Sequence, residues 1–345
     1  MTPIRHAVIT GTGSFVPPHV VTNADLARTL GDGIEPFVSE TLGIRQRHVC
    51  APDESTVDLC EPAARQAVAA AGLGLDDIDL VIVATDTPEY ISPATSSVLH
   101  GRLGLRRAAT FDVNCGCAGF VAAMDVASKY IRADERYSRI LVVAAYAMTK
   151  YLDWSDKKTA TIFADGAGAT VVEVSDRPGV LASELFADGR YCEGMGVFAG
   201  GTAEPITEDV LRVGYRNRLR FVEKYPREIN EVGWPRIVNS VLARADRTPN
   251  DVDLWLWTQV NLSSIRVAME RLGQPMERAH TVMGKWGYTG AACIPMALDD
   301  AVRAGRLTNG DLLVMTGSGA GLAMGCVALE WRSGQQGQQG QQGQP

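Results

Sequence analysis

The chain has 345 residues, 46% of them hydrophobic and 21% charged, with a net charge of −7 at neutral pH. That length and apolar content allow a full core in one large domain or two fused halves, and the acidic balance offers no global field for nucleic acid. No apolar run reaches transmembrane length, and the start MTPIRHAVITGTG lacks the features of a secretory signal, so a cytoplasmic protein with no membrane partner is expected.

In chain order, the stretch 61–87, EPAARQAVAAAGLGLDDIDLVIVATDT, spaces Ala and Val on one helical face, stops at glycines and then enters a β-branched run. This predicts a helix feeding a buried strand. Next comes DVNCGCAGFVAAMDVA (112–127), where a short apolar run gives way to an apolar helix predicted over 117–130. Cys115 and Cys117 lie near its start, where the positive end of the helix dipole lowers a thiol pKa from its usual ~8.5. Gly116, Ala118 and Gly119 leave room for a carbonyl to approach the backbone amides. From these residues alone, a nucleophilic cysteine and a tightly packed helix start both fit. The seven cysteines (Cys50, Cys60, Cys115, Cys117, Cys192, Cys293 and Cys326) show no CxxC pairing, and no metal site is expected.

The basic stretch YRNRLRFVEKYPR (215–227) carries Arg216, Arg218, Arg220, Lys224 and Arg227, and reads either as a solvated face or as a docking face for an acidic partner. Beyond it the chain repeats itself. WPRIVNSVLARADRTPNDVDLWLWTQVN (234–261) restates the helix-to-strand order of 61–87, with Asp253-Leu254 answering Asp79-Leu80. RLG recurs at 271–273 after 102–104, HTVMGKWGYTGAACIPMAL answers ATFDVNCGCAGFVAAMDVA, and LLVMTG (312–317) answers ILVVAA (140–145). FADGAGATVVEV (163–174) is echoed by GSGAGLAMGCVALEW (317–331). Fixed-order self-similarity predicts duplication, with halves at 1–175 and 176–332, each built around a helix covered on all sides. If the halves pack with pseudo-twofold symmetry, the CGCAG and GYTGA turns converge on one site. The tail SGQQGQQGQQGQP (333–345) is predicted to be disordered.

Five ordered motifs, ITGTGSFVP (9–17), LGIRQRHV (42–49), DVNCGCAG (112–119), FADGAGA (163–169) and GSGAG (317–321), carry a resemblance that runs to about Trp331. The chain resembles the β-ketoacyl-acyl-carrier-protein synthase III family of the thiolase superfamily. The resemblance implies an α/β thiolase-like fold of two duplicated halves in five α-β-α-β-α layers, and a homodimer whose first-half sheet continues across the interface. It implies no bound cofactor, with an acyl-carrier-protein phosphopantetheine or coenzyme A thioester as substrate. Cys117, directly before the Ala-Gly pair, falls on the family's nucleophile. Its own amide, with one from Gly319 or Ala320, falls on the oxyanion hole.

Where the family has a histidine in a PHQAN-like motif, this chain reads WTQVN (257–261) and places Thr258; where it has an asparagine in a GNTS-like motif, the chain reads GYTGA (287–291) and places Tyr288. His6, His19, His48, His100 and His280 lie on none of these turns. Asp86, in VATDTPEY (83–90), stands where the related hydroxymethylglutaryl-CoA synthases carry a catalytic glutamate, and reads either as a base with a raised pKa or as a loop cap. At the donor site Phe37, Thr41, Lys157 and Ser263 take the places of a tryptophan and arginines, beside Asn261. Only Lys157 keeps a positive charge, which favours a carrier-protein arm over coenzyme A. Trp255, Trp257, Trp286, Tyr288 and Met283 either pack the core or narrow the pocket.

The expected function is therefore an acyltransferase or atypical condensing enzyme of specialised, polyketide-type metabolism. It would form an acyl-Cys117 thioester and pass the acyl group to a hydroxyl, an amine or an activated carbon. Two other readings stand beside it: a decarboxylative synthase in which Thr258 and Tyr288 replace the His/Asn pair, and a non-catalytic partner subunit.

Overall fold

Segments whose apolar residues recur at helical spacing alternate with β-branched runs, and the computed structural model follows that alternation through residues 4–332; Lys224, Arg227 and the side chain of Asp32 are not among the described residues. The tail predicted to be disordered and two of the basic residues of 215–227 thus lie outside the described residues. The first half runs β1 (His6–Phe15), β2 (His19–Thr22), α1 (Asn23–Leu30), β3 (Gln46–Val49), α2 (Thr56–Ala70), β4 (Leu80–Ala84), α3 (Thr95–Leu103), β5 (Ala109–Val113), α4 (Gly119–Ala133), β6 (Arg139–Ala147), α5 (Lys157–Ala160) and β7 (Asp165–Ser175). The second runs β8 (Val180–Ala187), β9 (Met195–Gly196), α6 (Glu208–Val213), β10 (Arg220–Phe221), α7 (Glu228–Glu231), α8 (Gly233–Arg244), β11 (Leu254–Trp257), α9 (Leu262–Arg271), α10 (Met283–Trp286), α11 (Cys293–Arg303), β12 (Leu312–Gly319) and β13 (Ala323–Glu330).

Helix α2 begins before the predicted 61, because Ser55 and Asp58 close a capping box at its start. Its face lies so near β1 that a Cβ on Gly11 would stand 2.2 Å from Ala67 O, and one on Gly13 2.4 Å from Ala63 O. The GTG motif is therefore a crossing point that only glycine fits. Arg47, of the GIRQR motif, is fully buried; its guanidinium donates to Asn23 Oδ1 (2.8 Å), Val21 O (3.2 Å) and Thr161 O (3.1 Å), tying β2, β3 and α1 to the segment before β7. Burial lowers its pKa to about 10, so it stays charged.

The main sheets have the orders β1-β7-β6-β4-β5 and β8-β13-β12-β11. In both, the two outer pairings on the β1 or β8 side are antiparallel and the next is parallel. The place of β5 is taken in the second sheet by a single parallel bridge between Trp255 and Ala279. Helices α2 and α3 pack on the first sheet, α8 on the second, and α4 and α11 touch both sheets between them. Five layers result. Being covered on both sides, α4 and α11 bury most of their residues, including one aspartate each: Asp125 takes Lys129 Nζ (2.6 Å), and Asp299 takes Thr12 Oγ1 (2.8 Å) and Ser14 Oγ (2.6 Å).

Candidate active site

The site forms where the two halves touch end to end. Helix α4 starts at Gly119, two residues later than predicted, because Cys115–Ala118 wind into a tight turn: Ala118 N donates to Cys115 O (3.2 Å), Gly119 N to Gly116 O (2.9 Å), and Gly116 adopts φ +52°. The turn after β12 presses on it. A Cβ on Gly319 would stand 2.3 Å from Cys117 N, so this glycine lets the second half's backbone reach the Cys117 amide. The Ala320 amide donates to the Cys117 thiol. On the other side, Tyr288 N donates to Ile162 O (3.1 Å) and Ala164 N to Tyr288 O (2.9 Å), which stitches the GYTGA turn to the first half. The Tyr288 phenol hydrogen-bonds the Cys117 thiol. The predicted convergence of CGCAG and GYTGA is thus observed, and the glycine turn at 317–321 joins them.

A cavity of about 430 Å³ leads from Phe37, 55% exposed, to Cys117, 2% exposed. Cys117 and Tyr288 line it, with Phe163, Phe221, Ser318 and Gly319; Phe37, Thr41, Asn261 and Ser263 stand along it as well. Cys115 does not, so of the two thiols only Cys117 faces a ligand. Asn261 caps α9, its Oδ1 accepting Ser263 N (2.9 Å) and Ser263 Oγ (2.8 Å). Lys157 is exposed at the start of α5 and is not on the cavity wall.

The expected low thiol pKa is corrected by the structure. Burial, reinforced by the Asp86 carboxylate, raises the Cys117 thiol well above its ordinary value; the hydrogen bonds from Tyr288 and Ala320 pull the other way and do not prevail. The helix dipole acts on a group that water no longer reaches. Asp86 itself follows β4 on a rigid turn, where Thr87 N donates to Thr85 Oγ1 (3.0 Å) and Ala147 N to Thr87 Oγ1 (2.9 Å). Its Oδ1 is buried with no hydrogen-bond partner, and desolvation raises its pKa to about 6. It does not line the cavity, but its charge is felt by both Cys117 and Tyr146.

Thr258 is placed beside the site and not in it. It is fully buried, its N donates to Thr316 O (2.9 Å), its Oγ1 accepts Ser318 N (3.2 Å), and it is not on the cavity wall. Trp255, Trp257 and Met283 belong to the core: Trp257 stacks between Trp234 (5.3 Å) and Trp255 (5.7 Å), and only Tyr288 of the bulky group reaches the cavity. None of the five histidines lines it. Of the basic stretch, Arg216 pairs with Glu204 (2.5 Å), Arg218 donates to Lys150 O and Leu152 O (both 3.4 Å), and Arg220 lies over the Tyr215 ring (4.4 Å). Each has a local partner, which leaves less free charge than the sequence suggests.

Four groups escaped the sequence reading. Gln259 accepts Val282 N (2.7 Å) and Met283 N (3.0 Å) and donates to His280 O (3.1 Å), locking the WTQVN turn to the segment before Tyr288; the retained Gln of the motif was the available signal. Ser318 Oγ accepts Trp234 Nε1 (3.1 Å) and donates to Asn230 Oδ1 (2.8 Å), which brings Asn230 into the wall. Tyr225 also lines the cavity, within reach of Cys117's charge. No local pattern marks Asn230 or Tyr225. Among the described residues no group of His, Cys, Asp or Glu is arranged to hold a metal, and no helix is long and apolar enough to cross a membrane.

Residues 111–189 match the family model of 3-oxoacyl-[acyl-carrier-protein (ACP)] synthase III, and 242–331 match that of its C-terminal region. The chain is 39% identical over 329 residues to a β-ketoacyl-[acyl-carrier-protein] synthase III of Alkalilimnicola ehrlichii, covering 95% of this chain and 100% of the relative. Among solved structures, 3-oxoacyl-(acyl carrier protein) synthase III of Pseudomonas aeruginosa superposes with a TM-score of 0.86 at 32% identity, covering 95% of this chain and 99% of the other. A priming β-ketosynthase of a polyketide biosynthetic pathway gives 0.88 at 29% identity, covering 96% and 98%.

Proposed function

Because the chain belongs to the β-ketoacyl-[acyl-carrier-protein] synthase III family, with its thiolase-like fold and acyltransferase chemistry, we propose that Cys117 takes an acyl group from a carrier-protein or coenzyme A thioester and passes it to a hydroxyl, an amine or an activated carbon. The observation that carries this reading is the position of Cys117 at the buried end of a cavity, with Tyr288 and the Ala320 amide directed at its sulfur. The sulfur attacks the donor carbonyl. The oxyanion is held by the amides of Cys117 and Ala320, in the turn opened by Gly319, and the donor thiol leaves with the proton. In the second half-reaction the acceptor's lone pair attacks the thioester carbon, the C–S bond breaks, and the acceptor's proton passes to the departing Cys117 sulfur, whose protonated form the Asp86 charge favours from behind the cavity wall. Asp86 suits that role, because with a pKa of about 6 its carboxylate is ionised at neutral pH.

Transfer is favoured over decarboxylative condensation because only Tyr288, of the two residues replacing the His/Asn pair, reaches the cavity, while Thr258 Oγ1 already faces Ser318 N. Phe37, Asn261 and Ser263 form the donor passage in this reading, with Lys157 at its rim and Arg216, Arg218 and Arg220 as the carrier-docking face. The division at 175/176 follows the gap between β7 and β8, a homodimer would extend the first sheet at its β5 edge, and a pathway of specialised metabolism suits the altered catalytic pair. Carbon dioxide release from a malonyl thioester by the acylated chain tests the choice. Its absence, with transfer to alcohols or amines, supports acyl transfer; stoichiometric release supports the decarboxylative reading.

A further inference from the structure

On the far side of one wall of the Cys117 cavity lies a second pocket of about 270 Å³, near the lower end of small-molecule sites. Pro226, Ile229 and Leu322 line both cavities, so the wall is a single layer of side chains. A hydrogen bond crosses it: Tyr225, on the Cys117 side, donates to the carbonyl of Tyr191, on the other, at 3.3 Å. Leu322 is one of only two non-glycine residues with positive φ among the described residues, at +50°, and it is held there by Asp188 N on its carbonyl (3.0 Å). Such a backbone is costly for a γ-branched residue and collects at functional sites. It follows directly on the 319–321 turn that supplies the oxyanion amide.

The second pocket is lined for an aromatic guest. Phe186 (40% exposed) and Val232 (44%) leave apolar surface open, Tyr191 stands beside them, and Arg236 lies over the Phe186 ring at 5.2 Å. Resting on the acyl-transfer reading, we infer that this pocket receives the acyl acceptor, a hydroxyl- or amine-bearing small molecule with an aromatic body, and that Leu322 sets how readily it reaches the thioester. The donor then occupies the passage past Phe37 and Asn261, and donor and acceptor approach Cys117 from opposite sides. The chemistry balances without a further reactant: acyl–S–Cys117 and R–OH give the ester and the free thiol, one C–S bond being exchanged for one C–O bond.

The test loads the full chain from an acyl-coenzyme A, confirms the adduct by intact mass, and then follows its loss to 2-phenylethanol and to ethanol, with ester measured as product. The wild type is expected to prefer 2-phenylethanol by about tenfold, the discrimination of one well-filled apolar subsite. Phe186→Ala should reduce that ratio at least fivefold with loading unchanged. Leu322→Ala should speed transfer to 2-phenylethanol relative to ethanol, each rate being normalised to the loaded fraction read by intact mass, and Leu322→Gly, which suits the positive φ, is the companion variant if alanine impairs folding. A loaded chain whose ratio is near one, or whose ratio ignores Phe186→Ala, overturns the inference alone. A chain that never loads Cys117 overturns the acyl-transfer reading and the inference with it.

Discussion

At the scale of single residues, the proposed chemistry rests on Cys117 and on the Asp86 charge that acts on it. With the thiol raised by burial and the carboxylate behind it, little thiolate exists at neutral pH, so alkylation of Cys117 by iodoacetamide should be slow and keep accelerating beyond pH 9. A rate that levels off below pH 8 would contradict that environment. Asp86 is raised by the same desolvation. Its folded pKa of about 6 lies above the 3.8 of an exposed aspartate, so the fold binds the extra proton between those values and loses stability as pH rises through them. Asp86→Asn should therefore raise the melting temperature relative to wild type at pH 8, by an amount worth on the order of 3 kcal/mol, with little difference at pH 4. Alkylation of Cys117 at pH 8 should speed up in the same variant, because the charge that raises the thiol pKa is gone. Equal melting temperatures at pH 8 would mean that Asp86 is solvated.

At the scale of elements, the turns carry the site, and two substitutions probe them. Gly319→Ala puts a Cβ where Cys117 N now lies within 2.3 Å, so the oxyanion turn must shift; kcat should drop by about 10²-fold or more with a smaller change in KM. Unchanged kcat would remove this turn from the mechanism. Gln259→Leu removes three hydrogen bonds from a buried position and should cost about 2–4 kcal/mol in denaturant unfolding. Near-wild-type stability would show that the WTQVN turn is held otherwise. These elements also show what could be read in advance. Strand β4 and helix α4 were legible because periodicity reports local packing, whereas the GTG motif was read only for its resemblance and its crossing with α2 shows in the fold. Thiol pKa was not, because it depends on Asp86 and on burial by the second half, both distant in sequence. Thr258 was read as a replacement catalyst from its position in a motif, whereas its hydroxyl is turned to Ser318 N.

At the scale of the whole molecule, duplication explains why the site exists. The two sheets share one strand order, and α4 and α11 fill the layer between them, so the turns that start these helices meet from opposite sides. That much was written in the internal repeat. The repeat is also broken in an informative place. Strand β5 has only a one-bridge counterpart in the second sheet, which leaves β5 as an edge in the first half alone. Sedimentation should accordingly find a species of twice the chain mass, and a monomer at micromolar concentration would contradict pairing at that edge. The second pocket was invisible in the sequence. It is assembled from Phe186, Val232 and Leu322, which share no motif and meet only in the fold.

The central claim, that Cys117 carries the acyl group, is tested most directly by intact mass after incubation with a panel of acyl-coenzyme A and acyl-carrier-protein thioesters, with Cys117→Ala alongside. The account predicts a mass increase of one acyl group in the wild type and none in the variant. An unmodified wild type across the whole panel, or equal modification of Cys117→Ala, would contradict it and favour a non-catalytic partner subunit.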